Sequence, residues 1–124
     1  ELSGEVLCFA MIETREGLDN LEEIAATPGL DGLYVGPSDL SIALGLAPRP
    51  VAVPVGEDRP ELAGAIERVQ QACAENGLIA GMHCGSGHAA EHYARAGFRL
   101  VTVGVDTNLF KSAISYELTA AKGA

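Results

Sequence analysis

Apolar residues in this chain fall into short runs of two kinds. Four runs are dense in β-branched and other apolar side chains: residues 6–12 (VLCFAMI), 31–35 (DGLYV), 78–82 (LIAGM) and 99–105 (RLVTVGV). Each predicts a strand. None alternates cleanly between apolar and polar positions, so the strands are expected to be covered on both faces, as in parallel α/β sheets. Elsewhere apolar residues recur at helical spacing. Leu18, Leu21, Ile24 and Ala25 form one stripe, closed by Pro28-Gly29. Pro60 opens the longest helical pattern, in which Leu62, Ala65, Ile66, Val69 and Cys73 share a face and Gly77 is the stop. Ser86 is placed to cap a helix carrying Ala89, Ala90 and Tyr93 that ends at Gly97. Asp106 or Thr107 is placed to cap a last one with Leu109, Phe110, Ala113, Ile114 and Leu118. Residues 47–56 (APRPVAVPVG) hold three prolines and read as a loop on the C-terminal side of a strand.

Strand and helix therefore alternate four times, which predicts an α/β fold with a parallel sheet. Four units in 124 residues give about 31 residues per unit, and eight such units make about 250, the size of a (β/α)8 TIM barrel. Half a barrel is the favoured reading, with residues 1–124 as one partial-barrel domain. An open flavodoxin-like sheet would want about five strands and a phosphate-binding first turn, and no G-x-G-x-x-G follows the first strand. The chain begins at Glu1, almost directly on an apolar run, which carries the expectation that something N-terminal has been removed.

Composition narrows the functional classes. Eight basic against 17 acidic residues leave a net charge of −9, so no basic stripe exists to displace counterions and nucleic acid is not an expected partner. No apolar run approaches the length of a membrane span and no secretory pattern opens the chain, so a soluble, cytoplasmic protein without a membrane partner is expected. Cys8, Cys73 and Cys84 are odd in number and lack C-x-x-C spacing, which points away from a disulfide framework or zinc cage. Cys8 and Cys73 read as buried structural thiols, and so, less firmly, does Cys84, whose only nearby activating partner is His83.

In parallel α/β folds chemistry collects at the C-terminal ends of strands. The residues just past the four apolar runs are Glu13, the turn Gly36-Pro37-Ser38-Asp39, His83 with Cys84, and Asp106. Glu13 and Asp39, on adjacent strands, are placed to share one hard divalent cation such as Mg²⁺ or Mn²⁺; alternatively Glu13 pairs with a base and Asp39 caps the helix that follows. The backbone N–H groups of Ser38 and Asp39 open a helical segment, a position suited to a carboxylate; equally, Gly36-Pro37 is an ordinary strand terminator. His83, His88 and His92 invite a zinc reading, but no H-E-x-x-H motif is present, so His88 and His92 read as solvated or packing residues and His83 as lining the strand end. Asp106 reads most simply as a helix cap.

Three linked motifs add to this. The run I-E-T-R-E-G-L-D-N at 12–20, G-P-S-D-L-S at 36–41 and V-G-V-D-T at 103–107 resemble, in order and spacing, the HpcH/HpaI aldolase/citrate lyase family and within it the metal-dependent class II pyruvate aldolases. The resemblance covers essentially the whole chain and implies the C-terminal half of the barrel. It implies that Glu13 and Asp39 bind a divalent ion, Mg²⁺ or Mn²⁺. It implies too that the amides at Ser38 and Asp39, in the Gly36-Pro37 turn, hold the carboxylate of a pyruvate-type 2-oxo acid. The implied reaction is cleavage of a 4-hydroxy-2-oxo acid, such as 4-hydroxy-2-oxoheptanedioate, to pyruvate and an aldehyde through an enolate.

Two departures qualify the carry-over. Many family aldolases have Gln where this chain has Met11, whose thioether accepts weakly and cannot donate. The family's general-base histidine and the arginine that steadies the enolate belong to the N-terminal half, so metal ligands are implied here without the acid/base groups. The alternatives are a coenzyme A-ester lyase of the citrate lyase β or malyl-CoA lyase type, and a non-catalytic half-barrel that pairs with itself or another half. An open four-strand sheet leaves two unpaired edges, and family members are typically oligomers with the last helix packed across subunits, so a homo-oligomer is expected, with residues 106–121 at the interface.

Overall fold

The computed structural model describes residues 6–48, 54–55 and 58–123. Its elements run β1 (Phe9–Ile12), α1 (Arg15–Asp19), α2 (Leu21–Ala25), β2 (Gly32–Val35), α3 (Pro37–Ala43), α4 (Pro60–Asn76), β3 (Ile79–Met82), α5 (Gly87–Arg95), β4 (Leu100–Val101) and α6 (Asp106–Ala121). The four strands form one sheet in the order β1-β2-β3-β4, every pair parallel. The alternation read from the sequence is thus present, unit by unit. Most of the proline-rich segment at 47–56 lies outside the described residues.

The register sorts the strand residues into two faces. Ile12, Val35, Met82 and Val101 align across the sheet, as do Ala10, Leu33 and Ala80. This row packs against Leu21, Leu40, Leu62, Ile66, Val69, Ala89 and Tyr93 of the helices, in a core where Leu33, Val35 and Met82 have no exposed surface. The opposite row carries Phe9, Met11, Tyr34 and Leu100, and no helix covers it among the described residues. Met11 is 53% and Leu100 41% exposed. The expectation of cover on both faces is corrected here for the described residues: the runs fail to alternate because both rows are apolar, yet among those residues helices pack on one row alone. On the open row large side chains lie over glycines of the neighbouring strand, Phe9 over Gly32 and Tyr34 over Gly81, as happens in the side-chain layers inside small barrels.

Local chemistry sets the helix ends. Thr14 caps α1 by accepting a hydrogen bond from the Gly17 N–H at 3.0 Å, and Ser86 caps α5 by accepting from the Ala89 N–H at 3.1 Å. Gly77 ends α4 at φ +69°, a left-handed conformation that favours glycine. The first helical stripe is two helices, because Asn20 leaves helical geometry and bonds the Glu16 carbonyl with its side-chain amide at 2.9 Å. Arg68 of α4 ties this break to the core, donating to the Leu18 carbonyl at 3.0 Å and to Glu22 at 2.8 Å. That ion pair holds the Glu22 carboxyl below its usual range.

Four expectations are corrected. Residues 6–8 precede β1, and Cys8 is exposed; its backbone, not its thiol, is engaged, with its N–H donating to Asp31 Oδ2 at 2.7 Å. The last strand pairs only over Leu100–Val101. Val105, not Asp106 or Thr107, is the N-cap of α6; Asp106 is the first helical residue, and its carboxylate accepts the Thr107 N–H at 2.7 Å.

Candidate functional site

The C-terminal ends of β1, β2 and β3 meet around a cavity of about 250 Å³ lined by Met11, Gly36, Pro37, Ser38, Asp39 and His83. No Lys or Arg is among these lining residues. The parallel ladder places them: the Gly36 N–H donates to the Ile12 carbonyl at 3.4 Å and the His83 N–H to the Val35 carbonyl at 3.1 Å, so each strand's exit is pinned to its neighbour.

Glu13 follows β1 and leans over Gly36. A β-carbon on Gly36 would stand 3.0 Å from Glu13 Oε2, 3.3 Å from Glu13 Cβ and 3.2 Å from the methyl of Met11. Gly36 has an ordinary φ of −97°, so space rather than backbone conformation calls for glycine. Three residues on, Asp39 lies exposed in the first turn of α3. The first backbone bond of that helix is Leu40 N–H to Gly36 O at 2.9 Å, so the N–H groups of Ser38 and Asp39 precede the ladder. Pro37 is buried at the first helical position, and Ser41 Oγ donates to its carbonyl at 2.7 Å, which steadies the turn from within the core.

The fit of this arrangement to a divalent cation rests on two features. Glu13 and Asp39 supply hard carboxylate oxygens from neighbouring strand ends, and the missing Gly36 side chain leaves the Glu13 carboxylate its place. Among the described residues no third Asp, Glu, His or Cys joins them in one cluster, so remaining coordination positions would fall to water or substrate oxygens. Met11, in the place where the resemblance expects an amide, forms an apolar wall of the cavity.

The histidines separate. His88 and His92 are exposed on α5, and His92 packs edge-on against Tyr93; His83 is half-buried at the cavity. Its Nδ1 lies 3.2 Å from the hydroxyl of Tyr34, a contact between residues 49 apart. The strand-run reading missed Tyr34, since nothing in DGLYV marks its hydroxyl as facing the third strand. Burial raises the Tyr34 pKa, partly offset by the neighbouring Thr102 hydroxyl. Cys84 is buried, and burial pushes its thiol up to about 11. It is therefore protonated at neutral pH and not a ready nucleophile. Thr102 is a second residue the sequence reading passed over: its hydroxyl accepts the Cys84 N–H at 2.8 Å and donates to the Cys84 carbonyl at 3.0 Å.

Comparison with known proteins places this geometry. The family model described as HpcH/HpaI aldolase/citrate lyase matches residues 2–113. A hydroxypyruvate/pyruvate aldolase of Rhizorhabdus wittichii is 37% identical over 113 residues, which are 91% of this chain and 43% of that protein. A 4-hydroxy-2-oxo-heptane-1,7-dioate aldolase of Escherichia coli is 35% identical over 111 residues, 90% of this chain and 40% of that one. The chain thus spans well under half the length of these relatives. The crystal structure of an HpcH/HpaI aldolase/citrate lyase family protein from Burkholderia cenocepacia superimposes with a TM-score of 0.83 at 35% identity, covering 96% of this chain and 44% of that one. Four parallel β-α units matching under half of that chain are a part of a barrel.

Proposed function

Since the chain belongs to the HpcH/HpaI aldolase/citrate lyase family, we propose that it is the metal-binding part of a lyase that cleaves a 4-hydroxy-2-oxo acid to pyruvate and an aldehyde. The observation that carries this reading is the seating of the Glu13 carboxylate over Gly36, beside the cavity that Ser38 and Asp39 line. Glu13 and Asp39 would hold Mg²⁺ or Mn²⁺. When bound, the ion supplies Lewis acidity for the charge that develops on the keto oxygen as the carbon–carbon bond breaks.

The chain's own residues do the rest of the positioning. The Ser38 and Asp39 N–H groups hold the substrate carboxylate at the start of α3, where unpaired donors favour an anion. Gly36 and Pro37 keep that turn close to the sheet. Met11 closes one side with an apolar surface that offers the keto group no hydrogen bond. The protonated Cys84 thiol stays out of the chemistry.

Calorimetric titration of Mn²⁺ or Mg²⁺, with and without pyruvate, tests the reading. Pyruvate is expected to tighten metal binding at least tenfold, and Asp39→Ala to abolish binding while the fold is kept. Retained metal affinity in a well-folded Asp39→Ala protein would sink the assignment.

A further inference from the structure

Opposite Met11, the cavity wall is polar. His83 stands at the end of β3, and its Nδ1 is engaged by the Tyr34 hydroxyl at 3.2 Å, the two rings meeting edge-on with centroids 6.4 Å apart. This pair is built into the sheet. Tyr34 reaches across β3 because Gly81 has no side chain; a β-carbon there would stand 2.6 Å from Tyr34 Cδ2. Thr102 fixes the backbone just past His83 through both of its hydrogen bonds with Cys84, and its own hydroxyl proton is spent on the Cys84 carbonyl.

The Tyr34 hydroxyl, which can donate or accept, occupies Nδ1 of His83. Nε2 is thus the ring nitrogen left for a substrate group. In the aldolase reading the substrate carboxylate falls to the N–H groups of Ser38 and Asp39, so a different substrate group falls to Nε2. The lining contains no Lys or Arg and includes Asp39, so a neutral hydroxyl, which both donates and accepts, suits Nε2 better than a second carboxylate.

We propose that His83, positioned by Tyr34, is a specificity residue whose Nε2 hydrogen-bonds a hydroxyl on the aldehyde-derived part of the substrate, so that the site selects hydroxyaldehydes over alkyl aldehydes of the same size. The inference rests on the aldolase reading and deepens it. A site built to bond a substrate hydroxyl discriminates against the analogue lacking it, because the site's polar group is left unpaired.

The test is addition of pyruvate to glycolaldehyde and to propanal, which differ by a hydroxyl in place of a methyl, catalysed by the protein at its full native length with Mn²⁺ supplied. The wild type is expected to favour glycolaldehyde in kcat/KM. His83→Leu should cut that ratio about tenfold, mainly through the KM of glycolaldehyde, with the KM of pyruvate unchanged. Tyr34→Phe should lower it part of the way, and His83→Gln, whose amide can donate or accept near the Nε2 position, should recover most of it. An unchanged ratio in His83→Leu or in Tyr34→Phe, or a change confined to the KM of pyruvate, overturns the proposal and leaves the aldolase reading standing. Turnover of neither aldehyde by the metal-loaded wild type overturns the aldolase reading itself, and this inference with it.

Discussion

Gly36 decides where the Glu13 carboxylate can rest. An alanine there would bring a methyl group to 3.0 Å from Oε2 and 3.3 Å from Cβ of Glu13, tighter than ordinary van der Waals contact, and the flexible side chain would yield before the strand does. Gly36→Ala is therefore expected to leave the fold within about 1 kcal/mol of wild type and to weaken Mn²⁺ binding about tenfold by moving one ligand. Thermal melting and calorimetry read the two effects separately; undiminished affinity would mean that the ion does not use Glu13 in this position. The sequence shows Glu13 and Asp39 readily, because a lone carboxylate just past an apolar run is conspicuous. It shows Gly36 only as a turn residue, since the crowding that demands glycine comes from the neighbouring strand. Tyr34 and His83 are less visible still: their contact spans 49 positions and exists only once β2 and β3 are in register.

Elements were legible where the pattern reflects one packed face, and less so where several causes overlap. The face of α4 emerges residue by residue, with Leu62, Ala65, Ile66, Val69 and Cys73 all buried. The 6–12 run overshoots its strand by three residues, because apolar residues also occur where nothing covers them, as at Val6 and Leu7. The break between α1 and α2 left no gap in the hydrophobic stripe; Asn20 makes it through its own side chain. At the other end of α1, Thr14, next to Glu13, carries the N-cap. Thr14→Ala is expected to cost about 1 kcal/mol, and Thr14→Ser to recover most of it. Urea denaturation checks this, and an alanine variant as stable as wild type would show that the cap contributes nothing to the ordering of the segment that positions Glu13.

At the scale of the molecule, the described chain has more apolar surface than its own core uses. The row of Met11 and Leu100 on the sheet is open, β1 and β4 are edges, and α6 buries none of its residues, with Phe110 at 69% and Leu109 at 56% exposure. The α6 residues Leu109, Phe110, Ala113, Ile114 and Leu118 lie along one side of the helix, the arrangement of a surface that another element packs against. Against this stands a net charge of −9, whose self-repulsion weakens as salt shortens the Debye length to about 8 Å at 0.15 M. The 124-residue chain is thus expected to self-associate in sedimentation velocity, more so at higher concentration and higher salt. Two variants divide the surfaces: Leu100→Lys charges the open sheet row, and Phe110→Glu with Ile114→Glu charges α6. If α6 is the dominant surface, the double variant returns the chain toward monomer while Leu100→Lys does little, and the reverse holds if the sheet row dominates. A wild-type chain that stays monomeric across concentration and salt, and binds no hydrophobic dye, would mean that these surfaces are satisfied within a single copy.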